Sequence, residues 1–331
     1  MPERREPQIT DDIPYEEEQE EFDRLVAALD TTIPSKELDR NILIATWNIR
    51  EFGSVTKKWR ATSGDSPKRD LYSVRCIAEI ISRFDVIAIQ EVQDNIRALR
   101  YALKVLGPEW NFTLTDTTRG RLGDSERIAF LFDTRKVNMS GLACELVVPP
   151  EWLSEIAEDA LRRQFARTPY AVSFRSGDKT FILVTLHVVW GGRAADRVPE
   201  LTAIARWLSE WAGEINAWDH NLIALGDFNI DRHGSALYQA FTSTGLTVPP
   251  DLHRVPRTIF ADQEDPLEKH YDQIAWFTGD ANVPALSLTY LRGGHFDFAD
   301  IVMRSRGLTN NQLSFRISDH YPLWAEFSAR D

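Results

Sequence analysis

The stretch Leu222-Ile223-Ala224-Leu225-Gly226-Asp227-Phe228-Asn229 decides how the rest of this chain is read. An apolar run closed by a glycine suits a strand buried on both faces. Asp227 and Asn229 follow one residue apart, so extended geometry would put both on one side at the strand's C-terminal edge. An acceptor-only carboxylate beside a carboxamide suits a metal-bound phosphate. The same pair also suits an Asx turn, and the octamer alone leaves both readings open.

Working outward, other apolar runs end in the same way. Ile42-Leu43-Ile44-Ala45-Thr46-Trp47 runs into Asn48, and Asp85-Val86-Ile87-Ala88-Ile89 runs into Gln90-Glu91. Arg127-Ile128-Ala129-Phe130-Leu131-Phe132 has Glu126 at its mouth. Strands over 170–174 and 180–186 pair around the Ser176-Gly177-Asp178 turn, and the second runs into His187. Segments 271–276 and 321–327 read as further strands, with Asp272 inside the first and Asp319-His320 just before the second. Helices are expected over 15–30, 72–84, 96–106, 152–165, 198–214 and 235–244. Strand pairs and helices interleave in two rounds. That order suggests two sheets packed face to face with helices outside.

Composition narrows the function classes. The chain has 331 residues and is 43% hydrophobic, enough for a sizeable core. No run approaches the ~18 apolar residues of a membrane helix, and no apolar signal core follows the N-terminus. Cys76 and Cys144 are the only cysteines, which points to a reduced, cytoplasmic setting rather than a disulfide framework. Export by another route stays open. Net charge is −12, so a general basic coat for nucleic acid is excluded. Residues 1–40 hold 13 acids and 5 bases and form an acidic extension with an amphipathic helix, while 41–331 form the main domain. The extension is expected to cap the domain, to shield a phosphate groove or to dock a protein partner.

Seven motifs now stand in order. They are Trp47-Asn48-Ile49-Arg50-Glu51-Phe52-Gly53, Ile89-Gln90-Glu91-Val92, Ser125-Glu126-Arg127-Ile128, Thr185-Leu186-His187, Gly226-Asp227-Phe228-Asn229, Tyr271-Asp272-Gln273-Ile274 and Ile317-Ser318-Asp319-His320-Tyr321-Pro322. Over about residues 41–328 the chain resembles the endonuclease/exonuclease/phosphatase superfamily, and within it the deoxyribonuclease I type. The resemblance implies an α/β fold, a four-layer αββα sandwich of two mostly antiparallel sheets. It also implies a divalent-metal-dependent phosphodiesterase, with DNA as the nucleic-acid substrate and water attacking in line.

The roles it implies run as follows. Asn48 and Glu91 bind Mg²⁺ (or Mn²⁺), and Asp319 helps hold the metal or orients His320. Ca²⁺ is a possible structural or auxiliary ion. Asp227 orients the attacking water, and Asn229 hydrogen-bonds phosphoryl oxygens. His320 pairs with Asp272 and His187 with Glu126, each carboxylate being expected to raise the pKa of its imidazole. Arg167 lies near the scissile phosphate, and Arg50 touches the nucleic-acid backbone. Arg193 and Arg197 are expected in solvent, and Phe296 and Phe298 in the core.

Two departures bear on substrate. Gln93 and Gln273 stand where the resembled nucleases carry arginines, which removes two phosphate contacts. Alternatives are therefore a phosphatase or phospholipase-type phosphodiesterase on a small or lipid phosphate, and a catalytically inactive binding protein on the same fold.

Overall fold

A computed structural model of the chain describes residues 6–117, 125–146, 167–188, 193–214, 221–262, 264–265, 267–279 and 283–330. The helix expected over 152–165 and the Trp190-Gly191-Gly192 loop lie outside the described residues. Among those residues the strands form two six-stranded sheets. One runs β11 (Tyr290–His295), β12 (Leu323–Ser328), β1 (Asn41–Phe52), β2 (Val86–Gln93), β4 (Glu126–Asp133), β3 (Trp110–Leu114). The other runs β5 (Asn138–Glu145), β6 (Tyr170–Ser176), β7 (Lys179–His187), β8 (Leu222–Asp227), β10 (Asp272–Phe277), β9 (Leu246–Thr247). Each sheet has one parallel pair, β1 with β2 and β7 with β8, and its other pairings are antiparallel.

Alternation along the strands builds the layers. Ile42 and Ile44 of β1 and Val86 and Ala88 of β2 join Val184 and Leu225 of the second sheet in one core. Leu43, Ala45 and Trp47 face the other way, into a core shared with α2 (Leu71–Ile81), α3 (Arg97–Leu106) and α1 (Glu16–Thr32). On the far side, α4 (Ala194–Gly213) and α5 (Ala236–Thr242) cover the second sheet with Leu201, Leu208 and Phe241. Both faces of β1 and β8 are thus covered, which is why these strands read as continuous apolar runs. Phe296 and Phe298 are core residues, as expected. A buried amide ties the sheets together: Gln90 Nε2 donates to Thr185 Oγ1 at 2.9 Å.

The described part of the acidic N-terminal segment packs into the fold through α1. Leu25 and Leu29 of α1 are buried, and so are the carboxylates of Glu18 and Glu21. Glu18 Oε1 accepts from Arg60 Nε at 2.6 Å and from Arg306 Nε at 2.9 Å. Arg306 reaches on to Asp70, the N-cap of α2, at 2.7 Å. A buried charge needs such partners, since an unpaired one costs several kcal/mol.

β3, β5, β9 and β11 were not apparent in the sequence. All four lie at sheet edges, paired on one side only. β11 also carries Gly293-Gly294, which reads as a turn. A side-chain carbon at Gly294 would sit 2.9 Å from the Trp324 ring, so the glycine is there to let the neighbouring strand's tryptophan close over it.

Candidate active site

The parallel register of β7 and β8 sets His187 opposite Asp227, and the antiparallel register of β10 sets Asp272 opposite Asp227 from the other side. One glycine makes this closeness possible. Gly226 has φ 139°, and a Cβ there would lie 2.2 Å from the Leu186 carbonyl oxygen. In the first sheet the parallel register of β1 and β2 sets Asn48 beside Gln90, next to Glu91. Glu91 (φ 60°) and Asn229 (φ 49°) both sit in the left-handed region. At Glu91 the pairings of β2 also slip, a bulge that re-aims the side chain. Strain of this kind persists only where the surroundings hold it.

Asp227 Oδ2 is the hub of the site. Asn48 Nδ2 donates to it at 2.9 Å, His187 Nε2 lies 3.6 Å away and His320 Nε2 lies 3.9 Å away. The other oxygen, Oδ1, accepts the Asn229 backbone N–H at 2.9 Å. The Asn229 carboxamide donates to the Val188 carbonyl at 2.6 Å, which leaves its second N–H for a ligand.

Each imidazole is backed by a carboxylate, but the two settings differ. His320 Nδ1 lies 2.7 Å from Asp272 Oδ2 with hydrogen-bond geometry. His187 Nδ1 lies 3.2 Å from Glu126 Oε2, and Arg167 Nε lies 2.7 Å from that same oxygen. Burial opposes a charge on both rings. At His320 the Asp272 contact overcomes it, and the pKa is raised well above the ordinary histidine value. At His187 burial wins, aided by the positive charge of Arg167, and the pKa falls to about 4. The expectation that Glu126 raises the His187 pKa is thus corrected: the arginine competes for the same carboxylate.

The supports of His320 come from several elements. Trp47 Nε1 donates to its carbonyl at 2.8 Å, and Ser318 Oγ accepts its N–H at 3.0 Å. Ser318 Oγ also donates to the Asn48 carbonyl at 2.6 Å, so the Asn48 and His320 segments are joined directly. Arg257, itself buried, donates from Nε to the Asp272 carbonyl at 2.9 Å.

The oxygen donors suit a hard cation. Asn48 Oδ1 is buried and has no hydrogen-bond partner. Glu91 Oε2 accepts the Glu51 N–H at 2.9 Å. Asp319 is half-buried next to His320. Among the described residues no group of three or more His, Cys, Asp or Glu side chains is arranged as a metal cage. Mg²⁺ does not need one, because it typically takes one or two carboxylates and completes its shell with water and substrate phosphate.

Arg50 stacks on the Phe315 ring, with its guanidinium carbon 3.8 Å from the centroid, and donates to Ser314 Oγ at 2.8 Å. Arg197 is not in solvent. It is buried, donates to the Asn229 carbonyl at 2.8 Å and forks onto Asp231 at 2.8 and 2.9 Å. It therefore fixes the strained backbone of Asn229 from α4. Gln90, Ser318, Arg257 and Arg197 were missed as supports. Gln90, Arg257 and Arg197 act on residues far along the chain, so no local pattern marks them, and the reach of Ser318 to Asn48 is likewise set only by the fold.

A family model described as the Endonuclease/Exonuclease/phosphatase family matches residues 45–320. The chain belongs to that family. It is 28% identical over 303 residues to a deoxyribonuclease of Thioalkalivibrio sp. (strain K90mix), covering 89% of this chain and 73% of that one. It is 27% identical over 301 residues to deoxyribonuclease-1 of Bos taurus, covering 87% and 92%. A solved structure of a mannosyl-6-phosphatase from Bacteroides thetaiotaomicron shares the fold, with a TM-score of 0.54 and 17% identity over 86% of this chain and 99% of the other. The chain is a hydrolase of the nuclease and phosphatase type.

Proposed function

We propose that the chain is a divalent-metal-dependent phosphodiesterase that hydrolyses DNA by in-line attack of water. The observation that carries this reading is the convergence of Asn48, His187 and His320 on one buried oxygen, Asp227 Oδ2. Such a cluster can hold a water and a phosphoryl group within hydrogen-bond reach of an acceptor and a donor at once. Deoxyribonuclease names among the relatives support nucleic acid as substrate.

Asn48 Oδ1 and Glu91 would hold Mg²⁺ or Mn²⁺, with Asp319 beside them. Bound there, the cation would neutralise charge on the phosphoryl oxygens. The chain's own residues do the rest. A neutral His187, its Nδ1 turned to Glu126, presents the Nε2 lone pair 3.6 Å from Asp227 Oδ2. Two acceptors at that separation suit one water donating to both. His320, charged on Asp272, presents an Nε2–H donor to the phosphate. As the water oxygen bonds to phosphorus, its proton passes to the acceptor pair. As the ester bond breaks, His320 protonates the departing oxygen. This assignment follows from the different settings of the two imidazoles. Arg167, 2.7 Å from Glu126 Oε2, would balance charge on the phosphate.

Two free cysteines, Cys76 buried and Cys144 half-buried, suit a reducing compartment. Single-stranded DNA, plasmid, RNA, a sugar phosphate and a phosphoinositide should be offered with Mg²⁺, Mn²⁺ or Ca²⁺, and again in EDTA. Metal-dependent cleavage of DNA is the expected result. Equal cleavage in EDTA contradicts the metal requirement, and turnover of the small phosphates alone contradicts the nuclease reading.

A further inference from the structure

Two aromatic rings stand unused beside the site. Phe260 and Phe315 expose 40% and 37% of their surfaces, and they are the exposed phenylalanines among the described residues. Both are anchored to the catalytic segment. Thr258 bridges to His320, and the Ile259 N–H donates to the Asp319 carbonyl at 2.9 Å, so Phe260 stands one residue beyond that pairing. Phe315 closes α6 (Asn310–Ser314), three residues before Ser318, whose hydroxyl holds the Asn48 carbonyl. The two segments are tied together: Asn310 Nδ2 donates to the Ile259 carbonyl at 2.9 Å. One face of Phe315 carries the Arg50 guanidinium, which fixes the ring and places a cation at the same rim.

We propose that Phe260 and Phe315, with Arg50, form a stacking site for unpaired nucleobases flanking the scissile phosphate, so that the chain engages its substrate as a single strand. The inference rests on the nuclease reading above and adds the strandedness of the substrate. Duplex affinity is built mainly from phosphates neutralised by Lys and Arg. Residues 41–331, with 37 acids and 33 bases, are net acidic and offer no basic excess for it. Gln93 at the rim is neutral, and Gln273 is fully buried with its amide on the His270 carbonyl. Stacking works differently: every base has a π face, so aromatic platforms bind single strands without sequence preference. In a duplex those faces are already covered by neighbouring bases. A base stacked on Phe315 would extend the Arg50–Phe315 stack on its open side. The backbone would then pass Arg50, which follows Asn48 by two residues, on its way to the hub.

The test uses the full chain with Mg²⁺ and three substrates: a single-stranded oligonucleotide, its blunt duplex, and the same strand with abasic spacers around the cut. Wild type should cut the single strand most efficiently and the spacer strand, which loses both stacking contacts, with a KM roughly a hundredfold higher. Phe260→Ala and Phe315→Ala should each raise KM on the normal strand roughly tenfold, leave kcat within about twofold and change nothing on the spacer strand. Phe315→Leu keeps the bulk without the π system and should behave like the alanine variant. Both positions are exposed, and an unchanged thermal melt checks that the variants fold. Wild-type KM in the alanine variants, or rescue by leucine, overturns the stacking site while leaving the nuclease reading intact. Loss on the spacer strand as well assigns the rings to folding or to a protein contact and also overturns it. Turnover of none of the three strands, with a phosphate monoester still hydrolysed, overturns both readings together.

Discussion

His187 and His320 are built to the same plan and end in opposite states. Each is a buried imidazole with its Nε2 turned to Asp227 Oδ2, at 3.6 and 3.9 Å, and a carboxylate behind its Nδ1. At His320 the carboxylate is Asp272, held at 2.7 Å with hydrogen-bond geometry, and the ring keeps its proton. At His187 the carboxylate is Glu126, with Arg167 2.7 Å from the same oxygen, and the ring is neutral down to about pH 4. A carboxylate alone therefore does not set an imidazole's charge; what else that carboxylate binds decides it. In the proposed mechanism, two like groups pushed apart in pKa would serve as acid and base around one hub.

The largest expected effect separates the two rings by leaving group. His187→Gln and His320→Gln should each lower kcat on DNA by roughly 10²–10⁴-fold. With a p-nitrophenyl ester of thymidine 5′-phosphate, whose leaving group needs no proton, His320→Gln should recover most of the loss and His187→Gln should not. Equal recovery in both variants, or recovery only at position 187, breaks the assignment.

Stability should show the same opposition more faintly. His187 has a folded pKa near 4 against an ordinary 6.5, so the unfolded chain takes up that proton first as pH falls. Its contribution is complete above pH 6.5 and is lost between 6.5 and about 4, on the order of 3 kcal/mol. His295, lowered by burial to about 4, and His270, lowered in the same direction, add to that loss. His320 acts the other way. Its raised pKa gives stability that is full below 6.5 and fades as pH rises through the folded value. Asp272→Asn should therefore destabilise the protein more at pH 6 than at pH 9. Denaturant melts across that range check the sign, and a larger loss at pH 9 contradicts it.

Much of this was legible in the chain, for definite reasons. β1, β2, β7 and β8 are covered on both faces, so they stand out as apolar runs, and the polar residues that close those runs fall in the candidate site. The edge strands were hidden because one-sided pairing does not demand such runs, as β5 shows with exposed and half-buried residues along its whole length. Asn48, His187 and Asp227 were visible as types at the ends of apolar runs; that they meet on one oxygen depends on register. Arg197, just ahead of the expected helix, looked solvated because nothing in the sequence announces the Asn229 carbonyl it holds. The His187 charge was misjudged because Glu126 was seen and its second partner was not. Arg167 reaches that carboxylate only through the fold.

The most direct test follows the two imidazoles by NMR in the metal-free protein, using ¹³C-labelled histidine with assignments from His187→Gln and His320→Gln. The account predicts that His187 stays neutral down to about pH 4, while His320 keeps its proton through neutral pH. Two rings titrating together near 6.5, or in the reverse order, would contradict it.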